Sequence, residues 1–117
     1  AELLDSRQWQ DNVRHRQAVD FVKRRVQERY AESITLGMIA DELGLSKNYL
    51  GQLFRNGTGM TFNQYLTWVR MEKAKEMVLE GKYYMYEIAE KVGYTNIPYF
   101  SNQFRKHAGG KSIDSAK

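Results

Sequence analysis

The chain has 117 residues, 42% hydrophobic and 27% charged, and carries 18 Lys and Arg against 14 Asp and Glu for a formal charge of +4. That length suits one domain with a modest core, and the positive balance permits an anionic partner without demanding one. The absence of cysteine excludes disulfide staples and thiolate metal sites and suits a cytoplasmic protein, and no apolar run approaches the ~20 residues that span a bilayer, so no membrane partner is expected.

Residues 1–12 precede the first unit; the start at Ala1 fits methionine removal or a fragment, and "AELLDSRQW" has no signal-peptide pattern. A first helical unit then covers 13–60. Its opening segment, "QAVDFVKRRVQERYAES", places Ala18, Phe21 or Val22, Val26 and Tyr30 at helical spacing, while Lys23, Arg24 and Arg25 read as a solvated face. Leu36 to Leu43 forms a short amphipathic helix that ends at Gly44, and Ser46 caps the next one. In that next helix Leu50, Leu53 and Phe54 make the buried stripe, leaving Lys47, Asn48, Gly51, Gln52 and Arg55 outward. Asn48 and Gln52 are four apart on one face. Amides can bond bidentately to an adenine edge in the major groove, and flanking Lys and Arg can grip phosphates. Gly51 lowers helix stability by about 1 kcal/mol relative to alanine, tolerable where backbone must approach another molecule closely.

A linker helix is expected over 61–80, capped by Thr61, stopped by Gly81, and packing through Tyr65, Val69, Ala74, Met77 and Val78. At 1.5 Å per residue about 18 residues span roughly 27 Å, comparable with the ~34 Å between successive major-groove turns on one face of a duplex. The second unit, 81–110, opens on "KYYMYEIAE", runs as helix from about Met85 to Val92, turns at Gly93 and restarts with Asn96 as cap. Pro98 then sits in the first helical turn, where a missing N–H costs nothing. Phe100, Gln103 and Phe104 share one side; Ile97, Pro98, Ser101, Asn102, Arg105 and Lys106 fall on the other. Residues 111–117 form a tail.

The two units repeat one another. "IADELGLSKNYLGQLFRNGTGMT" (39–61) matches "IAEKVGYTNIPYFSNQFRKHAGGK" (88–111) with one extra residue in the second turn. Ile39-Ala40 pairs with Ile88-Ala89, Gly44 with Gly93, Ser46 with Asn96, Tyr49-Leu50 with Tyr99-Phe100, Phe54-Arg55 with Phe104-Arg105, and Gly59 with Gly109. Each copy reads as helix, glycine turn, helix. Two hairpins in an ordinary bundle explain the apolar positions equally well, but not a polar surface repeated at matched register on both second helices.

These two units, the connecting "FNQYLTWVRMEKAKEMVLEG" and the string "EIAEKVGYTNIPYFSNQFRKHAG" resemble the DNA-binding domain of AraC/XylS-type bacterial transcription regulators over about residues 15–110. The resemblance implies an all-α fold, two helix-turn-helix subdomains joined by a long linker helix, that binds double-stranded DNA sequence-specifically by inserting two recognition helices into successive major grooves. It implies base reading by Lys47, Asn48, Gly51 and Gln52 in the first unit and by Ile97, Pro98, Ser101 and Asn102 in the second, with Arg55, Arg105 and Lys106 at phosphates. Compact Ile97 and Pro98 suit a thymine methyl. It also implies a sensing or receiver domain elsewhere in the full-length chain, so that this chain is a fragment and residues 1–12 are an interdomain connection, with RNA polymerase as a further partner. The chain departs from the family after the second unit: "GGKSIDSAK" stands where threonine-proline and tyrosine-arginine are usual, which puts a closing helix in doubt.

Catalysis has no positive sign, and no cofactor or metal is expected. His15 and His107 lie in different units without cysteine or clustered carboxylates, and "GTG" and "GG" follow helices, where glycine acts as a C-cap. His107 near a helix end reads as a mildly favoured cation. The alternative from another class is a helical protein-interaction module presenting Trp68, Tyr83, Tyr84 and Tyr86 as an aromatic patch.

Overall fold

Amphipathic segments bounded by caps and glycines give six α-helices in the computed structural model, which describes residues 6–108, with side chains from Asp11 onward. They are α1 (Ser6–Arg29), α2 (Leu36–Leu43), α3 (Lys47–Thr58), α4 (Phe62–Glu80), α5 (Met85–Lys91) and α6 (Ile97–Ala108), and the described residues hold no strand. They divide into two units, one comprising 6–28 with 34–64 and the other 29–33 with 65–108. Helix α1 already starts at Ser6, inside the segment read as a connection, and most of α4 belongs to the second unit instead of standing apart as a linker.

In the first unit Ala18, Val19, Val22 and Val26 line the buried side of α1, with Ile34, Ile39, Ala40, Leu50, Phe54 and Phe62 also buried. Val22, not Phe21, is the fully buried member of the expected pair. Phe21 instead lies under the Arg25 guanidinium, 4.8 Å from its ring centre. Arg25 therefore departs from the solvated face assigned to it: it pairs with Glu28 of its own helix at 3.1 Å and with Glu42 of α2 at 2.7 Å. Lys23 and Arg24 remain exposed.

The second unit closes around Met71, Ala74, Ile88, Ala89, Val92 and Phe100, with Tyr30, Met77, Tyr83, Tyr94, Ile97 and Phe104 packed half-buried against them. Val78, assigned to packing, is 42% exposed, while Met71 is 1% exposed. A helix of 3.6 residues per turn cannot bury both Met77 and Val78 on one narrow stripe. Arg70 anchors the 30–32 segment: its Nε donates to the Tyr30 carbonyl at 2.6 Å and its Nη2 to the Glu32 carbonyl at 3.0 Å, and its guanidinium lies 5.1 Å from the Tyr94 ring centre. The turn is therefore crowded as well as left-handed. Gly93 has φ +103°, and a Cβ there would come within 3.0 Å of the Ala31 carbonyl and 3.1 Å of Arg70, so two separate constraints demand glycine.

Candidate nucleic-acid interface

Helix α3 is set by its cap. The Ser46 hydroxyl accepts from the Tyr49 N–H at 3.1 Å, satisfying one of the first-turn donors. Leu50 and Phe54 then face inward at 0% exposure, which turns Lys47, Asn48, Gln52 and Arg55 to solvent. Leu53 joins the buried stripe only in part. Gly51 is half-buried, and a Cβ there would approach Leu36 Cδ2 to 3.3 Å. Its missing side chain serves the contact between α2 and α3.

These residues border an open concavity of about 690 Å³ lined by Lys47, Asn48, Gly51, Gln52 and Arg55 of α3. The starts of two other helices complete it, Thr35 and Leu36 on one side and Thr61, Phe62 and Asn63 on the other. Thr35 caps α2 by accepting from the Met38 N–H at 3.2 Å. Thr61 and Gln64 form a reciprocal capping box, Gln64 N–H to Thr61 Oγ1 at 3.1 Å and Thr61 N–H to Gln64 Oε1 at 2.9 Å. Thr35 and Asn63 were not assigned to the site from sequence. Thr61 as a cap marked the start of α4, but nothing in the sequence said that this start would lie beside α3.

Helix α6 repeats the construction. Asn96 Oδ1 accepts from the Tyr99 N–H at 2.9 Å, which makes Ile97 and Pro98 the first two helical residues, as expected of the chain's single proline. Phe100, the match of Leu50, is likewise 0% exposed. Pro98, Asn102, Arg105 and Lys106 are exposed and Ser101 is half-buried. Arg105 Nη1 donates to Asn102 Oδ1 at 3.2 Å, joining an expected phosphate contact to an expected base reader. Ile97 departs from the outward side: it packs half-buried against the core. Phe104, unlike Phe54, is only half-buried. Gly109 and the 111–117 tail lie outside the described residues.

Both histidines have partners the sequence did not reveal. His15 Nε2 and the Tyr49 hydroxyl are 3.0 Å apart. His107 Nε2 lies 2.7 Å from Glu72 Oε2, tying α6 to α4, a partner beyond the helix-end role read from sequence. This hydrogen bond, with lesser help from Lys75 and against the opposing effect of burial, holds the Glu72 carboxyl below its ordinary pKa. The expected aromatic patch is split. Tyr83 is half-buried with Lys91 Nζ 5.1 Å from its ring centre, and Trp68 stacks on Tyr65 with centroids 6.2 Å apart. Trp68, Tyr84 and Tyr86 are exposed, and the last two stack on each other.

A helix-turn-helix domain family matches residues 39–111. The chain is 36% identical over 84 residues to YpdC, an uncharacterised HTH-type transcriptional regulator of Escherichia coli K12, covering 72% of this chain and 30% of that protein. It thus spans about a third of the length of the curated relatives it matches. Among solved structures it superimposes on the C-terminal domain of AraT, a response regulator from Geobacillus stearothermophilus, with TM-score 0.74 and 35% identity over 79% of this chain and 77% of that one. The C-terminal domain of the two-component response regulator yesN from Fusobacterium nucleatum gives TM-score 0.73 and 36% identity over 78% of this chain and 95% of that one. The chain belongs to the AraC-type helix-turn-helix family, the DNA-binding domains of bacterial transcription regulators.

Proposed function

We propose that the chain reads an asymmetric double-stranded site, with α3 and α6 each placed in a major groove. The reading rests on one observation: at matched register over Leu50 and Phe100, both helices turn polar residues outward, Asn48 and Gln52 on one and Asn102 on the other, each followed by an arginine, Arg55 or Arg105. Exposed amides four residues apart suit bidentate contact with base edges, and the arginines and Lys106 suit phosphates. Lys47 and Ser101 extend the base contacts. Gly51 and Ile97 contribute shape from half-buried positions, and Pro98 offers an apolar edge to a thymine methyl. Thr35 and Asn63, at helix starts bordering α3, add backbone contacts.

The same reading makes the chain a binding module, not a catalyst. It acts in the cytoplasm within a longer regulator, under a sensing or receiver domain, and influences RNA polymerase at a promoter. Response-regulator neighbours at 35% and 36% identity support a receiver domain as the attached partner.

Selection of bound duplexes from a random library, followed by affinity measurement against salt, tests this. With about 4 to 6 phosphates neutralised, log K should fall against log salt with a slope of about −3.6 to −5.4. A slope near zero, or no enriched site, would favour the interaction-module alternative and remove the DNA reading.

A further inference from the structure

The internal repeat has an unequal pair of flanks beside its second helices. Counting back from Ile39 and Ile88, position 37 matches 86 and position 35 matches 84, so Gly37 corresponds to Tyr86 and Thr35 to Tyr84. The first unit shows where such side chains point: a Cβ on Gly37 would lie 3.9 Å from Lys47 Cδ, and Thr35 borders the concavity that holds the α3 readers. The second unit places tyrosines at both positions. Tyr84 is 71% and Tyr86 53% exposed, and their rings stack nearly parallel, 5.7 Å between centroids at 6°.

The substitutions are reciprocal. Where α3 begins Lys47-Asn48, with a charge and an amide, α6 begins Ile97-Pro98, with neither. Where the first unit has small Thr35 and Gly37, the second has two phenols.

We propose that Tyr84 and Tyr86 form a backbone-binding platform of the second unit, an uncharged DNA contact that donates phenolic hydroxyls to phosphate oxygens and lays its rings against sugar beside the groove entered by α6. This rests on the DNA reading above. Tyrosine is a usual donor to phosphate oxygens, and stacking restricts both rings before binding, lowering the ordering cost of an exposed contact. Because the donors are neutral, this platform adds affinity without adding to counterion release.

That feature separates it from the arginines and from a protein-docking patch. On the duplex selected with the wild-type chain, affinities of Tyr84→Phe, Tyr86→Phe and the double variant are measured over a salt series, with Arg105→Ala for comparison, and phosphate-ethylation interference is mapped on the wild-type complex. Each Phe variant should bind roughly 3- to 10-fold more weakly with the salt slope unchanged, whereas Arg105→Ala should reduce the slope by about 0.9. Interference should include phosphates flanking the bases whose preference relaxes in Asn102→Ala. Wild-type affinity in the double Phe variant, or interference confined to the other half of the site, overturns the platform while leaving the DNA reading standing. A wild-type chain that selects no duplex overturns both.

Discussion

Glu72 and His107 join α4 to α6 through a contact whose strength depends on protonation. Because the Glu72 carboxyl is held below its ordinary value of 4.5 by its bond to His107, the folded state favours the carboxylate. The stability it contributes is fully present above that value and is lost as pH falls through the lower, folded one. Thermal unfolding between pH 6 and 3 should therefore show a steeper acid loss for the wild-type chain than for Glu72→Gln, in which this carboxylate is gone. Parallel curves for the two proteins would contradict a functioning pair. The contact joins residues 35 apart in sequence, and neither side chain announces the other. The same holds for Arg25 with Glu42 and for Arg70 with the 30–32 segment. Such pairings depend on how helices come together, which hydrophobic spacing within one helix does not encode.

At the scale of the element, each second helix was legible because its determinants are local. Ser46 and Asn96 cap as their side-chain chemistry predicts, Gly44 and Gly93 take φ of 71° and 103°, and the repeat fixes which residues share a face. Depth of burial was not legible. Phe54 and Phe104 occupy matched positions, yet only Phe54 is fully enclosed. Phe54→Ala should cost about 3 to 5 kcal/mol, and Phe104→Ala distinctly less, since part of its ring already meets water. Chemical denaturation of both variants checks this, and equal losses would mean that the two faces are packed alike. Gly51 shows the same limit from the other side: it lines the concavity, yet it is half-buried, and an added Cβ would meet Leu36 at 3.3 Å. Ile97 is drawn inward for a comparable reason, because a branched aliphatic side chain at the first helical position meets the apolar cluster before it meets solvent.

For the whole molecule, the account depends on two unlike reading surfaces in one chain. A symmetric dimer of single units would require a palindrome, whereas Asn48 with Gln52 and Pro98 with Asn102 present different groups and call for an asymmetric site. Family, fold and most of the outward helix faces, Ile97 excepted, were readable from the repeat, because it fixes register twice over. The tyrosine flank was not, since its significance appears only when the geometry around Gly37 and Lys47 is carried to the matching positions of the second unit. The most direct measurement is a binding profile over every single-base variant of the selected site, for the wild-type chain, Gln52→Ala and Asn102→Ala. The two substitutions should relax base preference at two different places about 10 base pairs apart, each losing roughly 1 to 3 kcal/mol of discrimination. Relaxation of the same base pairs by both, or of none by either, would contradict the two-surface account even if the chain binds DNA.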